Sequence, residues 1–143
     1  MTVGQVLLHK GSQVYWVSPR ATVYEALQKM AEHDVGALLV MEEGRLLGVF
    51  SERDYARKLV LMGRFSRDTQ VVEVMTENPL TVTRATPLSE AMRLMTEHRV
   101  RHLPVVEEGK VLGVISIGDV VKAIMGEQEV LIRELSRYVT ENR

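Results

Sequence analysis

The chain has 143 residues, 45% hydrophobic and 26% charged, a composition that excludes disorder and a fibrous architecture. With 18 basic against 19 acidic residues the formal charge is −1, so bulk electrostatics attract neither nucleic acid nor an anionic membrane, and any basic site must be local. No cysteine is present, which removes disulfides, thiolate nucleophiles and thiolate-bound zinc. The first ten residues, MTVGQVLLHK, carry no basic run ahead of their apolar stretch, and no apolar run reaches membrane-spanning length. A cytoplasmic location without membrane contact is the expectation.

In chain order, a short strand at Tyr15–Val17 is followed by Thr22 and Glu25, spaced as a capping box, and then by Val23, Ala26, Leu27, Met30 and Ala31 on one helical face. Two apolar runs come next, Ala37–Met41 and Leu46–Ser51, joined by Glu-Glu-Gly-Arg, where Gly44 can supply the positive φ of a hairpin turn. The runs do not alternate with polar residues, so both faces of their sheet should be covered. A second helix is predicted to start at Ser51. Leu59–Asn78 then connects this unit to the second half of the chain, through an apolar continuation, a polar break at Gly63–Gln70 and the segment Val71–Met75.

The same order then recurs. Val17–Lys58 aligns without a gap on Val82–Ala123, displaced by 65 residues. Identities include Glu25/Glu90, Met30/Met95, His33/His98, Leu38/Leu103, Val40/Val105, Ser51/Ser116 and Asp54/Asp119. Copy two therefore reads as a strand at Leu80–Val82, a helix started by Thr86 as cap with Pro87 in its first turn, runs at His102–Val106 and Val111–Ser116, and a helix from Ser116. The fold class is α/β (α+β), two β-α-β-β-α units. Neither unit buries enough surface to stand alone, so they should pack about a pseudo-twofold axis with a groove between them. The predicted division is residues 1–70 for repeat 1 with the N-terminal segment and linker, 71–126 for repeat 2, and 127–143 for a C-terminal amphipathic helix. In that last segment Val130, Leu131, Leu135, Tyr138 and Val139 mark a face expected to be hidden.

The doubled pattern resembles a CBS domain pair, or Bateman module. The matching pieces are Val74-Met75-Thr76, Thr86-Pro87-Leu88-x-Glu90-Ala91-Met92, Leu103-Pro104-Val105-Val106, the Glu-Glu-Gly turn, and Gly-Val-x-Ser-x-x-Asp present twice. Copy one departs by carrying Ala21-Thr22 for Thr86-Pro87 and Leu39 for Pro104. The resemblance implies adenine-nucleotide binding (AMP, ADP, ATP, NAD(H) or S-adenosylmethionine) in the inter-repeat clefts, assembly into a homodimer, and regulation of another protein rather than catalysis. No phosphate-cradling glycine loop or nucleophilic triad is present, and no enzyme activity or metal is expected.

Ser51, Asp54, Ser116 and Asp119 are the sharpest candidates. A carboxylate at a helix start can accept ribose hydroxyls while the serine and free amides face a phosphate. Taken singly, Ser-x-x-Asp is also a capping box, and its recurrence at one place in both copies is what shifts the reading to a ligand. The resemblance places backbone contacts to the adenine edge at Gly36, Ala37, Leu38 and Leu103, and phosphate-facing side chains at Arg101 and His102, with Gly36 and Ala37 leaving room for a flat ring. Arg53, inside the Ser-x-x-Asp turn, stands out from the basic group it forms with Arg57 and Lys58. Thr22 and Thr86 could reach ribose, though capping alone would explain them, and Val17 and Val82 could sandwich the base, though core packing is the default for strand valines. His98 and His102 have helical zinc spacing but no third ligand, and Met30 and Met95 read as core. Two other classes are weighed: a protein-interaction scaffold using the C-terminal helix, and nucleic-acid binding through Arg99, Arg101 and His102, which the net charge disfavours.

Overall fold

The structure, a computed structural model, describes residues 1–141. Its elements are α1 (Val3–Lys10), β1 (Trp16–Val17), α2 (Val23–His33), β2 (Ala37–Glu42), β3 (Arg45–Ser51), α3 (Glu52–Tyr55, prolonged by a π-type turn Ala56–Val60), 3-10 turns at Ser66–Asp68 and Val71–Glu73, β4 (Thr76–Glu77), α4 (Leu88–His98), β5 (His102–Glu107), β6 (Lys110–Ser116) and α5 (Ile117–Glu141). The hairpins form because both central turn residues take positive φ, Glu43 with Gly44 and Glu108 with Gly109. A bulge follows at the same place in each copy, after Val40 and after Val105. In repeat 1 the sheet order is β1-β2-β3-β4, with β1 parallel to β2 and the rest antiparallel; in repeat 2 Val82 supplies only a parallel bridge to Val105 beside the β5-β6 hairpin.

The helices dock by the faces their sequences mark. Val23, Ala26 and Met30 from α2 and Leu88, Ala91 and Met95 from α4 lie at most 3% exposed, each set under its own hairpin. Leu38, Leu39 and Val40 are all buried, as an uninterrupted apolar run requires of a sheet covered on both faces. Two cores result. Val17, Val23, Ala26, Met30, Leu38, Val40 and Phe50 of the first correspond, 65 residues on, to Val82, Leu88, Ala91, Met95, Leu103, Val105 and Ile115 of the second.

Each core is completed from outside its own copy's expected span. The N-terminal segment, assigned by sequence to repeat 1, packs on repeat 2: Val3, Val6 and Leu7 join its core, the Val3 and Gly4 amides donate to Thr86 O and Arg84 O, and the Leu88 amide donates to Met1 O. Reciprocally, Val71 and Val74 join the core of repeat 1, the Val71 amide donates to Ala21 O and the Val23 amide to Thr69 O. The two leaders are equivalent, with Val3, Val6 and Leu7 matching Val71, Val74 and Met75 at a displacement of 68 residues, so the gapless register of 65 does not reveal them. Leu7 lies over Gly113 as Met75 lies over Gly48.

Two other expectations change. Thr22 caps α2 as predicted, accepting from the Glu25 amide at 3.1 Å, but Pro87 occupies the cap position of α4 and Thr86 instead accepts from the Thr83 amide. The second helix of repeat 2 and the C-terminal helix are one continuous α5, and every described side chain from Glu127 to Thr140 is exposed, so the apolar face expected to be hidden is not covered by the rest of the chain. Residues 142 and 143 of that predicted helix lie outside the described residues. Among the described residues, no helix is long and apolar enough to cross a membrane.

Candidate functional site

Strand pairing places Ala37 opposite Ser51 and His102 opposite Ser116. The start of each hairpin therefore meets its end, where the chain turns into a helix. The turn is closed by one backbone bond in each copy, Glu52 N to Gly36 O at 3.0 Å and Ile117 N to Arg101 O at 2.8 Å. Gly36, Ala37, Ser51 and Asp54 converge in repeat 1, and Arg101, His102, Ser116 and Asp119 in repeat 2.

The two junctions also meet across the seam between repeats. A Cβ built on Gly36 would lie 3.7 Å from His102 Cε1, so the flat space beside this glycine is partly filled by the imidazole of the other repeat. Arg53 crosses the same seam, Nη1 donating to Arg99 O at 2.6 Å, where Arg99 ends α4 in a left-handed conformation. Burial, with the neighbouring charges of Lys10 and Arg101 and against that of Asp119, holds His102 below the ordinary histidine value of 6.5, so the imidazole is neutral at pH 7.

Both Ser-x-x-Asp turns are capping boxes. In repeat 1 the Asp54 amide donates to Ser51 Oγ at 3.2 Å while the Ser51 amide and hydroxyl donate to Asp54 Oδ2 at 3.0 and 3.1 Å. Asp54 Oδ1 accepts from Thr76 Oγ1 at 3.3 Å and lies 3.0 Å from Lys58 Nζ. Lys58, read from sequence as part of a basic group with Arg53 and Arg57, is half-buried between Asp54 and the leader and also donates to Val74 O. In repeat 2 the Asp119 amide donates to Ser116 Oγ at 3.1 Å, and Asp119 Oδ2 accepts from the Ser116 amide at 2.8 Å and from Lys10 Nζ at 2.6 Å. Lys10 also donates to Val114 O at 2.8 Å. Burial pushes the Asp119 carboxyl up, but the Lys10 ammonium and the Ser116 amide outweigh it and hold the carboxyl below the usual aspartate value.

Two cavities flank the start of α5. One, of about 490 Å³, lies between α1 and α5 and is lined by Met1, Val6, His9, Lys10, Asp119, Lys122, Ala123, Gly126, Glu127 and Val130. The other, of about 750 Å³, is lined by Arg101, Ile117, Gly118, Val121, Lys122, Met125, Gly126 and Glu129. The volumes suit small molecules.

Other expected site residues sit elsewhere. The side chains of Val17, Leu38, Val82 and Leu103 are buried in the two cores, leaving only their main chain to face a ligand. Thr22 and Thr86 are engaged in local turns. Lys10, His9 and Thr76 are not among the residues expected from sequence, and Lys58 is expected only within a basic group, because these contacts depend on the leader segments and on side-chain packing that repeat identity does not encode. Among the described residues, no group of three or more His, Asp and Glu is placed to hold a metal ion.

The CBS domain profile matches residues 3–61 and 71–126. The chain is 40% identical over 147 aligned positions to the CBS domain-containing protein CBSX3, mitochondrial, of Arabidopsis thaliana, covering 96% of this chain and 71% of that one. A putative signal-transduction protein with CBS domains from Burkholderia ambifaria superposes with a TM-score of 0.86 at 46% identity, over 90% of this chain and 96% of that one. The CBS domain protein PAE2072 from Pyrobaculum aerophilum, solved in complex with AMP, superposes at 0.74 with 27% identity, over 83% and 89% of the respective chains.

Proposed function

This chain belongs to the CBS domain family, and from that premise we propose that it is a regulatory, non-catalytic module that binds an adenosine nucleotide and signals through a ligand-dependent change in a homodimer. AMP, ADP and ATP are the first ligands of this class, with NAD(H) and S-adenosylmethionine sharing the adenosine moiety. The observation that carries the reading is the ionised carboxylate of Asp119 lining a cavity with His9, Lys10 and Lys122, which combines an acceptor for a ribose diol, cations for phosphate and, in Val6, Ala123 and Val130, an apolar wall for a base. The AMP complex of the Pyrobaculum relative supports the ligand class. To signal, a nucleotide must bind two arrangements of the module unequally, since equal affinity shifts nothing. Calorimetry with AMP, ATP, NADH and S-adenosylmethionine tests this, and a chain giving neither heat nor a thermal shift with any of them is not a nucleotide sensor.

The homodimer is supported by α5. Val121, Met125, Ile132, Leu135 and Val139, each 42–63% exposed, follow heptad spacing with Gln128 in the remaining position of the seam, the pattern of a helix that packs on another helix. The same seam favours the second reading, a scaffold that docks a partner protein without a small molecule. Ile132→Glu with Leu135→Glu separates them: neither residue lines a cavity, so the sensor keeps its nucleotide and loses its dimer, whereas the scaffold loses its partner.

A further inference from the structure

We infer that the module takes one nucleotide per chain, at the repeat-2 turn, because the corresponding carboxylate of repeat 1 is already saturated. This rests on the nucleotide reading above and selects between its two sites. A carboxylate offers about four acceptor positions. At Asp54 three are taken by hydrogen bonds, from the Ser51 amide and hydroxyl on Oδ2 and the Thr76 hydroxyl on Oδ1, and the Lys58 ammonium pairs with Oδ1 at 3.0 Å. The residue is 7% exposed. A ribose could enter only by displacing these partners, the Lys58 ammonium among them, which would keep its bond to Val74 O.

At Asp119 that closure is missing. Position 58, which seals repeat 1 with a lysine four residues after the aspartate, corresponds to Ala123 in repeat 2. Ala123 lines the 490 Å³ cavity instead of closing it. Charge balance for Asp119 comes from Lys10 of α1, which together with the Ser116 amide occupies Oδ2, while Oδ1 accepts no hydrogen bond among the described residues. His9 and Lys122 line the same cavity without an ion-pair partner among the described residues. An open carboxylate oxygen, two uncommitted basic side chains and an apolar wall in one cavity fit a nucleoside monophosphate. They place its diol on Asp119 and its phosphate towards His9 and Lys122.

The experiment is calorimetric titration of the full chain with AMP, for the wild type and for Asp119→Ala and Ala123→Lys. The last writes the repeat-1 seal into repeat 2 and leaves the capping box in place. The expected results are a stoichiometry of one per chain and a loss of affinity of tenfold or more in both variants. A stoichiometry of two, or wild-type affinity in Ala123→Lys, would overturn the single-site assignment while leaving nucleotide binding standing. Absence of binding by the wild type to AMP, ATP and NADH alike would instead remove the nucleotide reading itself.

Discussion

Gly48 and Gly113 occupy equivalent strand positions under the two leader segments, and replacing each by alanine measures how firmly each leader is held. At an open strand position the change should stabilise by about 0.5–1 kcal/mol, because alanine has less conformational freedom to lose. At Gly113 the new Cβ would meet Leu7 Cδ2 at 2.8 Å and Cδ1 at 3.3 Å, the far end of a side chain that can rotate away. At Gly48 it would meet Met75 Sδ at 2.8 Å and, nearer still, the backbone oxygen of Thr76 at 2.6 Å. That carbonyl belongs to β4, paired through Gly48 with Glu77 and through Val49 with Thr76, so the strand itself must shift. Overpacking of this kind costs about 1–3 kcal/mol. Gly48→Ala should therefore lose about 1–2 kcal/mol net while Gly113→Ala stays within about 1 kcal/mol of wild type, read from urea midpoints at unchanged m-value. A Gly48→Ala protein as stable as wild type, or a Gly113→Ala protein less stable than Gly48→Ala, would mean that the Thr76 carbonyl does not hold β4 against this strand.

His102 is held below its unfolded value near 6.5, so its contribution to stability is complete above that pH and declines as the pH falls from about 6.5 towards the folded value, where the unfolded chain protonates first. His102→Gln should flatten this decline between pH 7.5 and 5.5 in urea melts, and equal losses in both proteins would count against a buried neutral imidazole. Asp119 is depressed, so its contribution is present above about pH 4 and fades as the pH drops through the lower folded value. Lys10→Met should cost about 1 kcal/mol at pH 7, with the deficit shrinking by pH 3, and a deficit independent of pH would mean that Lys10 acts through packing alone. Thr22→Ala should cost about 1 kcal/mol through loss of the α2 cap, whereas Thr86→Ala, which caps nothing, should cost less in the same thermal melt.

The repeat made most of the fold legible. Gapless identity fixed the hairpins to within a residue or so at each end, and pairs such as Met30 and Met95 told which helix faces turn inward. It failed where the chain departs from tandem order. The leaders match at a different displacement, so Val3 and Val71 carry no signal in the register of 65, and nothing in that register shows that each leader packs on the other copy's core. The Thr86-Pro87 pair looked like a cap and first turn, but the chain enters α4 one residue later and takes its missing acceptor from Met1. At the candidate site, the residue types at Ser51, Asp54, Ser116 and Asp119 were readable, and so was the capping alternative. What no spacing encodes is which lone pairs remain open, since that depends on Lys58 folding back in one copy and Lys10 arriving from another helix in the other.

The exchange of leaders has a kinetic consequence. Lys10 reaches acceptors up to 109 positions further along the chain, so the last contacts of repeat 2 close one of the largest loops in the molecule. Repeat 1, whose leader sits between the copies, can complete itself with a much smaller loop and so has the lower entropic barrier. Folding should then proceed with repeat 1 first and α1 arriving last, which makes the helix bearing Lys10 the natural point of reversible local opening. The cavity walled by that helix would breathe on the same timescale, giving a ligand a way in without unfolding either hairpin.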